Sequence, residues 1–321
     1  MKQYIQAKNI CNYNQKDQTY QMFMKVLLIM ILYRIMKTGI FPFVLGKISI
    51  LELLLPILLI ISCILLCYGG YYVGENFLSK NQYKEEECLM DGILLGLLLP
   101  IKTPFWMILI AVFLTIFIGR YFYDRIPIAM PSLIGILGVI GFSIWFQICH
   151  LNNSSINFIL LEFTEIYQLN QISLISVYLG GIGEWISKTS PLLCILAFLY
   201  LRKHIKWRIP IYFIGTYLIL LIFSNYFISN SWIDILKNLG VGNILFLSLF
   251  CGTDMRTTPV TNAGQILFAV FLGIFTYIGT FFFTSYLAII LSILISNLFT
   301  PLYDYFGNYY ELKYCSEYSK L

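Results

Sequence analysis

The sequence of residues 249–261 is Leu249-Phe-Cys-Gly-Thr-Asp-Met-Arg-Thr-Thr-Pro-Val-Thr261, a polar stretch that separates two apolar runs. The short run Gly242–Phe250 precedes it and the long run Gly264–Phe283 follows it. Charged groups at membrane depth cost about 2.5–3.5 kcal/mol each on insertion scales, so they usually line a site or face water. Two interpretations of this stretch stay open: an ordinary polar turn between two membrane helices, or a functional site.

The rest of the chain is strongly apolar. Of its 321 residues, 59% are hydrophobic and 12% are charged, and the mean hydropathy is +0.79. Apolar stretches of about 17–25 residues, long enough to span the hydrocarbon core, recur along the chain. The composition therefore predicts an all-α, polytopic protein in the lipid bilayer without a sizeable soluble domain. The net charge of +5 does not indicate nucleic-acid binding, because the basic residues lie in short loops between helices.

The hydropathy pattern predicts about ten membrane helices in two inverted five-helix repeats, with two short half-helices. The predicted membrane segments are Met22–Gly39, Leu51–Val73, Asp91–Pro100, Phe105–Phe122, Ile128–Cys149, Pro191–Leu201, Ile209–Phe227, Gly242–Phe250, Gly264–Phe283 and Tyr286–Pro301. The predicted domains are a cytoplasmic arm at 1–20, a membrane domain at 21–305 (repeat one about 21–150, an outward-facing excursion about 150–189, repeat two about 190–305) and a cytoplasmic tail at 306–321.

Two similar segments suggest the internal repeat. Ala111–Gly119 reads AVFLTIFIG and Ala269–Gly279 reads AVFLGIFTYIG, and each follows a short apolar run and a Pro-containing polar turn. Since the two copies lie an odd number of segments apart, they would insert with opposite orientations. In inverted-repeat folds, paired half-helices line the path of a substrate or ion near the midplane. The predicted site residues at these two turns are Asp254, Thr253, Thr257, Thr258 and Thr261 in the second, and Asp91 and Thr103 in the first.

Basic residues predict the orientation in the cell membrane. The cluster Arg202, Lys203, Lys206 and Arg208 lies between the sixth and seventh segments, which places that loop in the cytoplasm. Counting helices from this loop puts both termini in the cytoplasm and residues 150–189 outside. Arg34 and Lys37, near the end of the first segment, are expected to extend to the membrane interface.

Cys63 and Cys67 lie one helical turn apart in an apolar run, which allows either a metal-ligand pair or small residues packing between helices. Because the other cysteines and the two histidines offer no second pair with ligand spacing, the sequence predicts packing and no metal site.

Several segments resemble one protein family: the D subunit of the Rnf electron-transport complex and the related B subunit of the sodium-pumping NADH:quinone reductase. The resemblance rests on Asp91–Trp106, on Thr253–Gly264 with its Thr-Asp and Thr-Thr-Pro-Val-Thr elements, on Trp207–Pro210, and on Asn297, Pro301 and Asp304. It implies a membrane subunit that couples flavin-mediated electron transfer to cation movement. The implied partners are other membrane and peripheral subunits of the complex.

The sequence departs from the family at the flavin attachment motif. The family binds FMN through a phosphoester to the last threonine of Ser-Gly-Ala-Thr, which this sequence lacks. Thr164, in Glu162-Phe-Thr164, is the nearest positional counterpart, so the resemblance implies FMN or riboflavin with Thr164 as the candidate residue. No Gly-rich nucleotide loop or cysteine cluster indicates another cofactor. In addition, Lys188 replaces a glutamate of the family's Gly-Ser-Ile-Gly-Glu-Thr-Ser motif.

Two alternative functions stay open from the sequence. One is a stand-alone channel or carrier for a small solute, since ammonium and urea channels share inverted five-helix repeats. Their pores use histidine pairs or similar polar gates, whereas His150 and His204 lie at predicted helix ends. The other alternative is a scaffold subunit of the complex that binds no flavin.

Overall fold

The computed structural model describes residues 2–46, 49–78, 85–101, 103–118, 131–148, 173–179, 190–228, 232–240, 243–254 and 257–318. Over these ranges the chain is helical and contains no strand, which confirms the predicted all-α fold.

The chain folds into two compact units. The first comprises 1–122, 131–160 and 199–205, and the second comprises 123–130, 161–198 and 206–321. In the described ranges, three helices are long and apolar enough to cross a membrane, and two bent pairs raise this number to five if each pair is one span. These helices support a multi-pass membrane protein, whereas the ten-segment inverted repeat stays a prediction.

In the first unit two helices begin well before the predicted apolar segments, at Lys2 and at Glu85, because polar flanking residues continue the helices. The first helix, for example, includes most of the predicted cytoplasmic arm. The elements are α1 (Lys2–Ile35), a π-helical turn (Met36–Ile40), α2 (Phe41–Val44), α3 (Ile50–Leu78), α4 (Glu85–Leu98), α5 (Phe105–Phe113), a second π-helical turn (Leu114–Ile118) and α6 (Pro131–Ile148).

In the second unit residues 306–318 of the predicted cytoplasmic tail are part of a helix, which bends by 58° away from the helix before it. The elements are α7 (Leu174–Tyr178), α8 (Pro191–Leu201, whose last residues belong to the first unit), α9 (Arg208–Ile228), α10 (Trp232–Gly240), α11 (Ile244–Phe250), α12 (Asn262–Gly279), α13 (Ser285–Leu298) and α14 (Thr300–Tyr318).

Helix α12 is central to the second unit, since α9, α13 and α14 all pack against it. Gly273 lets α9 approach closely: a Cβ added there would lie 2.0 Å from Oγ1 of Thr216 and 3.3 Å from the carbonyl oxygen of Phe213. Close backbone approach through small residues is the usual way in which helices pack in a membrane, where lipid is as apolar as the side chains.

Helix α7 is the described part of the predicted outward excursion, and hydrogen bonds connect its last residue to α10 and to Ser190. The hydroxyl of Tyr178 donates to the carbonyl of Leu236 on α10 at 3.2 Å, and Oγ of Ser190 donates to the carbonyl of Tyr178 at 2.8 Å. Burial raises the pKa of the Tyr178 phenol above its usual value.

Helix α4 is the first predicted half-helix, and it begins at Glu85 rather than Asp91. Its 14 residues span about 21 Å at ~1.5 Å per residue, short of the ~30 Å hydrocarbon core. The helix ends at Leu98 because Pro100 disfavours the helical conformation at the preceding residue. Leu94, Leu97 and Leu98 are fully buried, so α4 is an interior helix of the first unit.

Small residues bring α3 and α4 together. A Cβ added at Gly92 would lie 3.0 Å from Cα of Ile64 and 3.2 Å from Cβ of Cys67, and one added at Gly96 would lie 3.6 Å from Cβ of Cys63. The two cysteines therefore pack against the two glycines, as the sequence interpretation expects.

Arg34 lies inside the first unit, so the expectation that its side chain reaches the membrane interface is wrong. It is 1% exposed and donates to the carbonyl oxygens of Gly96 and, at 2.7 Å, of Leu99. The last carbonyls of a helix lack partners within the helix and carry partial negative charge. The forked guanidinium can donate to two of them at once, which stabilises the end of α4.

Replacing Arg34 should loosen the end of α4. Arg34→Met is expected to lower the melting temperature of the detergent-solubilised protein by about 5 °C or more, because hydrogen bonds from charged groups contribute about 1.5–3 kcal/mol each. Lys25→Met is the matched control, since Lys25 is an exposed cation on the same helix. Equal melting temperatures for the two variants would contradict a structural role for Arg34.

Candidate functional site

The second half-helix, α11, is entirely enclosed by protein. It runs from Ile244 to Phe250, its seven residues are all buried, and it is about 10 Å long at ~1.5 Å per residue. Asn243 precedes it with a left-handed backbone, φ 56°, a conformation that asparagine adopts more readily than most residues. The sequence correctly predicts a short helix here, which begins two residues later than Gly242.

Gly252 ends this half-helix. The N–H groups of Cys251 and Gly252 donate to the same carbonyl, that of Leu247, at 2.9 and 2.8 Å. A Cβ added at Gly252 would lie 2.7 Å from the carbonyl oxygen of Ser248, which is closer than a side chain can approach backbone. Glycine is therefore required where the chain leaves α11 and enters the polar stretch.

The polar stretch itself is buried. Thr253, Asp254, Thr257 and Thr258 are between 1% and 3% exposed, whereas Val260 is 80% exposed. Met255 and Arg256 lie outside the residues that the structure describes. Polar side chains in the interior of a membrane protein require partners, and the structure shows several of them.

Hydrogen bonds within the stretch fold it into a compact turn. Oγ1 of Thr253 donates to the carbonyl of Leu249, which extends the end of α11. The N–H of Thr258 and its hydroxyl both donate to the carbonyl of Asp254, the former at 3.2 Å. We refer to residues 253–261 as the polar turn.

Lys206, which lies outside the polar turn, forms two hydrogen bonds with it. Its ammonium donates to the carbonyl of Thr258 at 2.9 Å and to the hydroxyl of the same residue at 2.6 Å. In the sequence, Lys206 is only one of four basic residues that indicate orientation. Its contact with a residue 52 positions away has no local sequence signal.

Asp304 on α14 fixes the end of the polar turn, where α12 begins. Its Oδ1 accepts from the N–H groups of Val260 and Thr261 at 2.9 and 3.2 Å, and from the Thr261 hydroxyl at 3.2 Å. Thr261 caps α12 by accepting from the N–H of Gly264 at 3.1 Å. A carboxylate is favourable at this position because a helix N-terminus carries partial positive charge.

Two glycines allow α14 to approach the polar turn. A Cβ added at Gly307 would lie 2.1 Å from Oγ1 of Thr261, and one added at Gly264 would lie 3.0 Å from the carbonyl oxygen of Tyr303. Oγ1 of Thr300, the first residue of α14, donates to the carbonyl of Thr257 at 2.8 Å. Helix α14 therefore supports the polar turn in its middle, at Thr257, and at its end, at Val260 and Thr261.

The predicted site residues of the first half-helix lie in the other unit. Asp91 is 1% exposed on α4, and Thr103 is 8% exposed and donates its hydroxyl to the carbonyl of Pro100 at 2.7 Å. The five predicted site residues of the polar turn therefore lie together in the second unit. Asp91 and Thr103 lie in the first unit. Thr164, the candidate flavin residue, lies outside the described residues.

Among the described residues, the polar turn holds no cluster of three acidic, cysteine or histidine ligands, and the helix N-terminus that it leads into already has an acceptor. Among the described residues, no three His, Cys, Asp and Glu side chains come together as metal ligands. The N-terminus of α12 is the place in the polar turn where backbone N–H groups could hold a flavin phosphate. The carboxylate of Asp304 already lies at this N-terminus, where it accepts from the N–H groups of Val260 and Thr261, and its negative charge disfavours a flavin phosphate there.

Long apolar helices together with buried half-helices that end in polar turns define a polytopic helical membrane protein with interrupted helices. The chain belongs to the NQR2, RnfD, RnfE family, whose sequence profile matches residues 8–310. The family predicted from the sequence motifs is therefore confirmed.

Three relatives are 25–28% identical to the chain over the aligned positions. The D subunit of the ion-translocating oxidoreductase complex of Methanosarcina acetivorans is 26% identical over an alignment of 213 positions, which covers 63% of this chain and 65% of the relative. The D subunit of the proton-translocating ferredoxin:NAD(+) oxidoreductase complex of Clostridium ljungdahlii is 28% identical over an alignment of 237 positions, which covers 63% of this chain and 68% of the relative. The D subunit of the ion-translocating oxidoreductase complex of Buchnera aphidicola subsp. Schizaphis graminum is 25% identical over an alignment of 236 positions, which covers 60% of this chain and 68% of the relative. The chain thus spans about two thirds of the length of the relatives it matches.

Asp304 should contribute to stability through the polar turn. Asp304→Ala removes the acceptor for three donors, and we expect a loss of about 1–2 kcal/mol, comparable with the removal of a strong helix cap. Asn308→Ala is the matched control, an exposed polar residue one turn further along α14. Thermal unfolding in detergent measures both, and an Asp304→Ala variant as stable as the control would show that the carboxylate does not hold the turn.

Proposed function

We propose that the chain is a membrane subunit of an Rnf-type, ion-translocating electron-transport complex, in which flavin-mediated electron transfer is coupled to cation movement. Family membership and the names of the relatives support this role. The observation that carries the proposal for the site is the burial of Asp254 and of the threonines around it in the polar turn. A buried carboxylate with hydroxyl neighbours, placed between a half-helix and a long helix, suits an ion path.

The chemistry of the polar turn favours a cation. The hydroxyl of Thr253 donates its hydrogen to a backbone carbonyl, so the oxygen lone pairs remain available as acceptors. The carboxylate of Asp254 adds negative charge, and hard cations prefer carboxylate, hydroxyl and carbonyl oxygens. Lys206 contributes a positive charge at Thr258, which offsets the carboxylate when no cation is bound. We propose Asp91 and Thr103 as the corresponding residues of the first half-helix.

Electron transfer requires partners. We propose that other membrane and peripheral subunits carry the redox centres, because this sequence lacks cofactor-binding motifs of its own. FMN or riboflavin at Thr164 stays a proposal that rests on position alone. The alternative of a flavin-free scaffold subunit is favoured by the missing Ser-Gly-Ala-Thr motif and by Asp304 at the N-terminus of α12. Family membership argues against a stand-alone channel.

The proposed location is the cell membrane, with both termini in the cytoplasm and residues 150–189 outside. The basic cluster between α8 and α9 supports this orientation.

The orientation is tested with Ser155→Cys in a chain without its native cysteines. The new thiol should react only with a thiol reagent added from outside the cell. Reaction only from the cytoplasmic side would reverse the assignment.

The charge of Asp254 should matter for coupling. Asp254→Asn is expected to leave the protein inserted and assembled but to reduce coupled cation transport by about tenfold or more, corresponding to ~1.4 kcal/mol. Asparagine keeps the volume and some hydrogen bonding but loses the charge that a cation requires. Transport is measured in inverted membrane vesicles that contain the complex, with expression level and melting temperature determined in parallel.

The matched control is Asp234→Asn, the same chemical change at a partly exposed residue of α10 that forms an ion pair with Lys237 at 3.7 Å. Thr258→Val is a further variant, since it removes the hydroxyl that Lys206 contacts but keeps the shape. Normal transport and stability in Asp254→Asn would identify the polar turn as an ordinary connection between helices.

Covalent flavin is expected to be absent or scarce. Protein purified from cells that contain the flavin-attaching enzyme should show little fluorescence in a denaturing gel, because the small residues of the attachment motif are missing. Thr164→Val should therefore change nothing. A bright band that disappears in Thr164→Val would show that the chain is a flavoprotein with an unusual attachment site.

A further inference from the structure

An apolar cleft lies between α12 and α14 in the second unit. Its volume is about 710 Å³. After the 58° bend at the end of α13, α14 lies beside the first half of α12, where the ring of Tyr303 contacts that of Phe271. The walls of the cleft are aliphatic or aromatic and include Ala263, Leu267, Phe271 and Phe275 on α12 and Leu302 and Phe306 on α14.

Aromatic contacts form the floor of the cleft. The ring centroids of Tyr303 and Phe271 are 5.5 Å apart, and those of Phe271 and Phe275 are 5.9 Å apart. Tyr303 also meets Phe268 edge to face, with centroids 6.0 Å apart, which is a favourable arrangement of two aromatic rings. Because Tyr303 and Phe268 are buried, packing holds this floor in place, and the cleft belongs to the folded chain.

The length of the cleft matches one leaflet of a bilayer. Ala263 and Phe275, the first and last wall residues on α12, are separated by about 18 Å of helix at ~1.5 Å per residue. The hydrocarbon core is ~30 Å thick, so each leaflet contributes ~15 Å. An acyl chain that enters the cleft at Ala263 therefore reaches the depth of Phe275 within its own leaflet.

The cleft is open on one side, since Phe271 and Phe306 are 40% and 54% exposed. In a membrane, such a surface is covered either by the chain of a lipid or by a helix of another protein. The groups at the Ala263 end of the cleft favour the lipid, because they are polar and positively charged.

Arg208 provides the positive charge at this end. It is the first residue of α9, and its guanidinium donates to Oδ1 of Asn262, the first residue of α12. Asn262 precedes Ala263 and lies one turn before Ile266, and both of these residues line the cleft. A guanidinium has five N–H donors in a planar fork that matches the oxygens of a phosphate group. The Ala263 end therefore combines an apolar entrance with a group that recognises phosphate.

Trp207 marks the depth of this end in the membrane. Its ring is 44% exposed and lies beside Arg208, whose guanidinium carbon is 5.4 Å from the ring centroid. Tryptophan is enriched at the level of the lipid headgroups. The adjacent guanidinium is then at the depth where lipid phosphates lie.

Asp304 does not occupy this position. Its carboxylate accepts from the N–H groups of Val260 and Thr261 at the N-terminus of α12, where the helix dipole offsets its charge. The guanidinium of Arg208 is instead bound to the side chain of Asn262. A phosphate on Arg208 thus needs none of the N–H groups that Asp304 uses.

We propose that the cleft between α12 and α14 binds an acyl chain of an anionic phospholipid whose phosphate is bound by Arg208. Basic pockets between membrane helices on the cytoplasmic side are a known way of binding anionic headgroups. The leaflet is the one at which α12 begins, which is the cytoplasmic leaflet in the proposed orientation. Lipid binding goes beyond the proposed function and does not depend on electron transfer or ion movement.

Lipid binding is tested on the purified full-length chain in detergent. The melting temperature is measured during titration with dioleoylphosphatidylglycerol or dioleoylphosphatidylcholine, which have the same chains but differ in net charge. We expect the anionic lipid to raise it by about 3–5 °C more than the zwitterionic lipid, with saturation, because a ligand that binds only the folded state stabilises it. Native mass spectrometry should show one retained phosphatidylglycerol per chain.

Two variants assign the effect to the cleft. Leu267→Trp fills the cleft, so the retained lipid and its stabilising effect should disappear. Ile278→Trp is the matched control, because Ile278 is an exposed residue of α12 outside the cleft, and this variant should bind lipid as the wild type does.

The charge is tested with Arg208→Gln, in which the two lipids should stabilise the chain equally. Arg202→Gln is the matched control, since it removes an exposed cation of the same basic cluster, and it should keep the preference for the anionic lipid. Equal stabilisation of the wild type by both lipids would overturn the proposal. Full preference for phosphatidylglycerol in Leu267→Trp or in Arg208→Gln would also overturn it, because the lipid would then bind elsewhere.

Photo-crosslinking identifies the occupant in the intact complex and does not depend on how stable the variants are. Phe306 is replaced by p-benzoylphenylalanine, and membranes that contain the complex are irradiated. We expect the mass of the chain to increase by that of one phospholipid. A crosslink to another subunit would overturn the proposal and identify the cleft as a surface that binds a partner helix. A complex that binds this lipid without coupled transport would contradict only the proposed function.

Discussion

Helix ends inside a bilayer must find their hydrogen-bond partners within the protein, because lipid offers none. This constraint explains why the two half-helices are surrounded by long-range polar contacts. At the end of α4 the partner is Arg34, which donates to two carbonyls 62 and 65 residues away. At the end of α11 the N–H groups of Cys251 and Gly252 donate back to a carbonyl of the helix. Lys206 and Asp304 are the hydrogen-bond partners of the polar turn that follows.

The side chains that stabilise the ends of the two half-helices differ in charge. The first unit places a cation at the negative end of a half-helix, which neutralises it. In the second unit, Lys206 and Asp304 bind the later part of the polar turn, at Thr258 and at Val260–Thr261. Before them in the turn, the carbonyl of Thr257 accepts from Thr300, the first residue of α14. Partners from two other parts of the second unit, the segment before α9 and helix α14, therefore stabilise the polar turn.

Local signals explain which parts of this structure the sequence predicts. Pro100 and Gly252 interrupt apolar runs, so both half-helices are visible in the sequence, although polar residues such as Glu85 extend α4 beyond its apolar run. Contacts between distant residues leave no such signal. The roles of Arg34 and Lys206 depend on which distant segment lies opposite each of them. The hydropathy pattern identifies both residues only as cations that flank membrane segments. Asp304 matches a family pattern, but the pattern does not reveal that its partners are the N–H groups of Val260 and Thr261.

The hydrogen bonds between Asp304 and the polar turn have a consequence for biosynthesis. The ribosome makes the polar turn first, and Asp304 follows 43 residues after Thr261, a delay of roughly 2–9 s at about 5–20 residues per second. During that interval α12 can enter the membrane, but the backbone groups at its start still lack their carboxylate. The turn reaches its final form only after α14 has been synthesised and has docked. A chain truncated before position 304 would expose this defect, which links assembly of the site to completion of the chain.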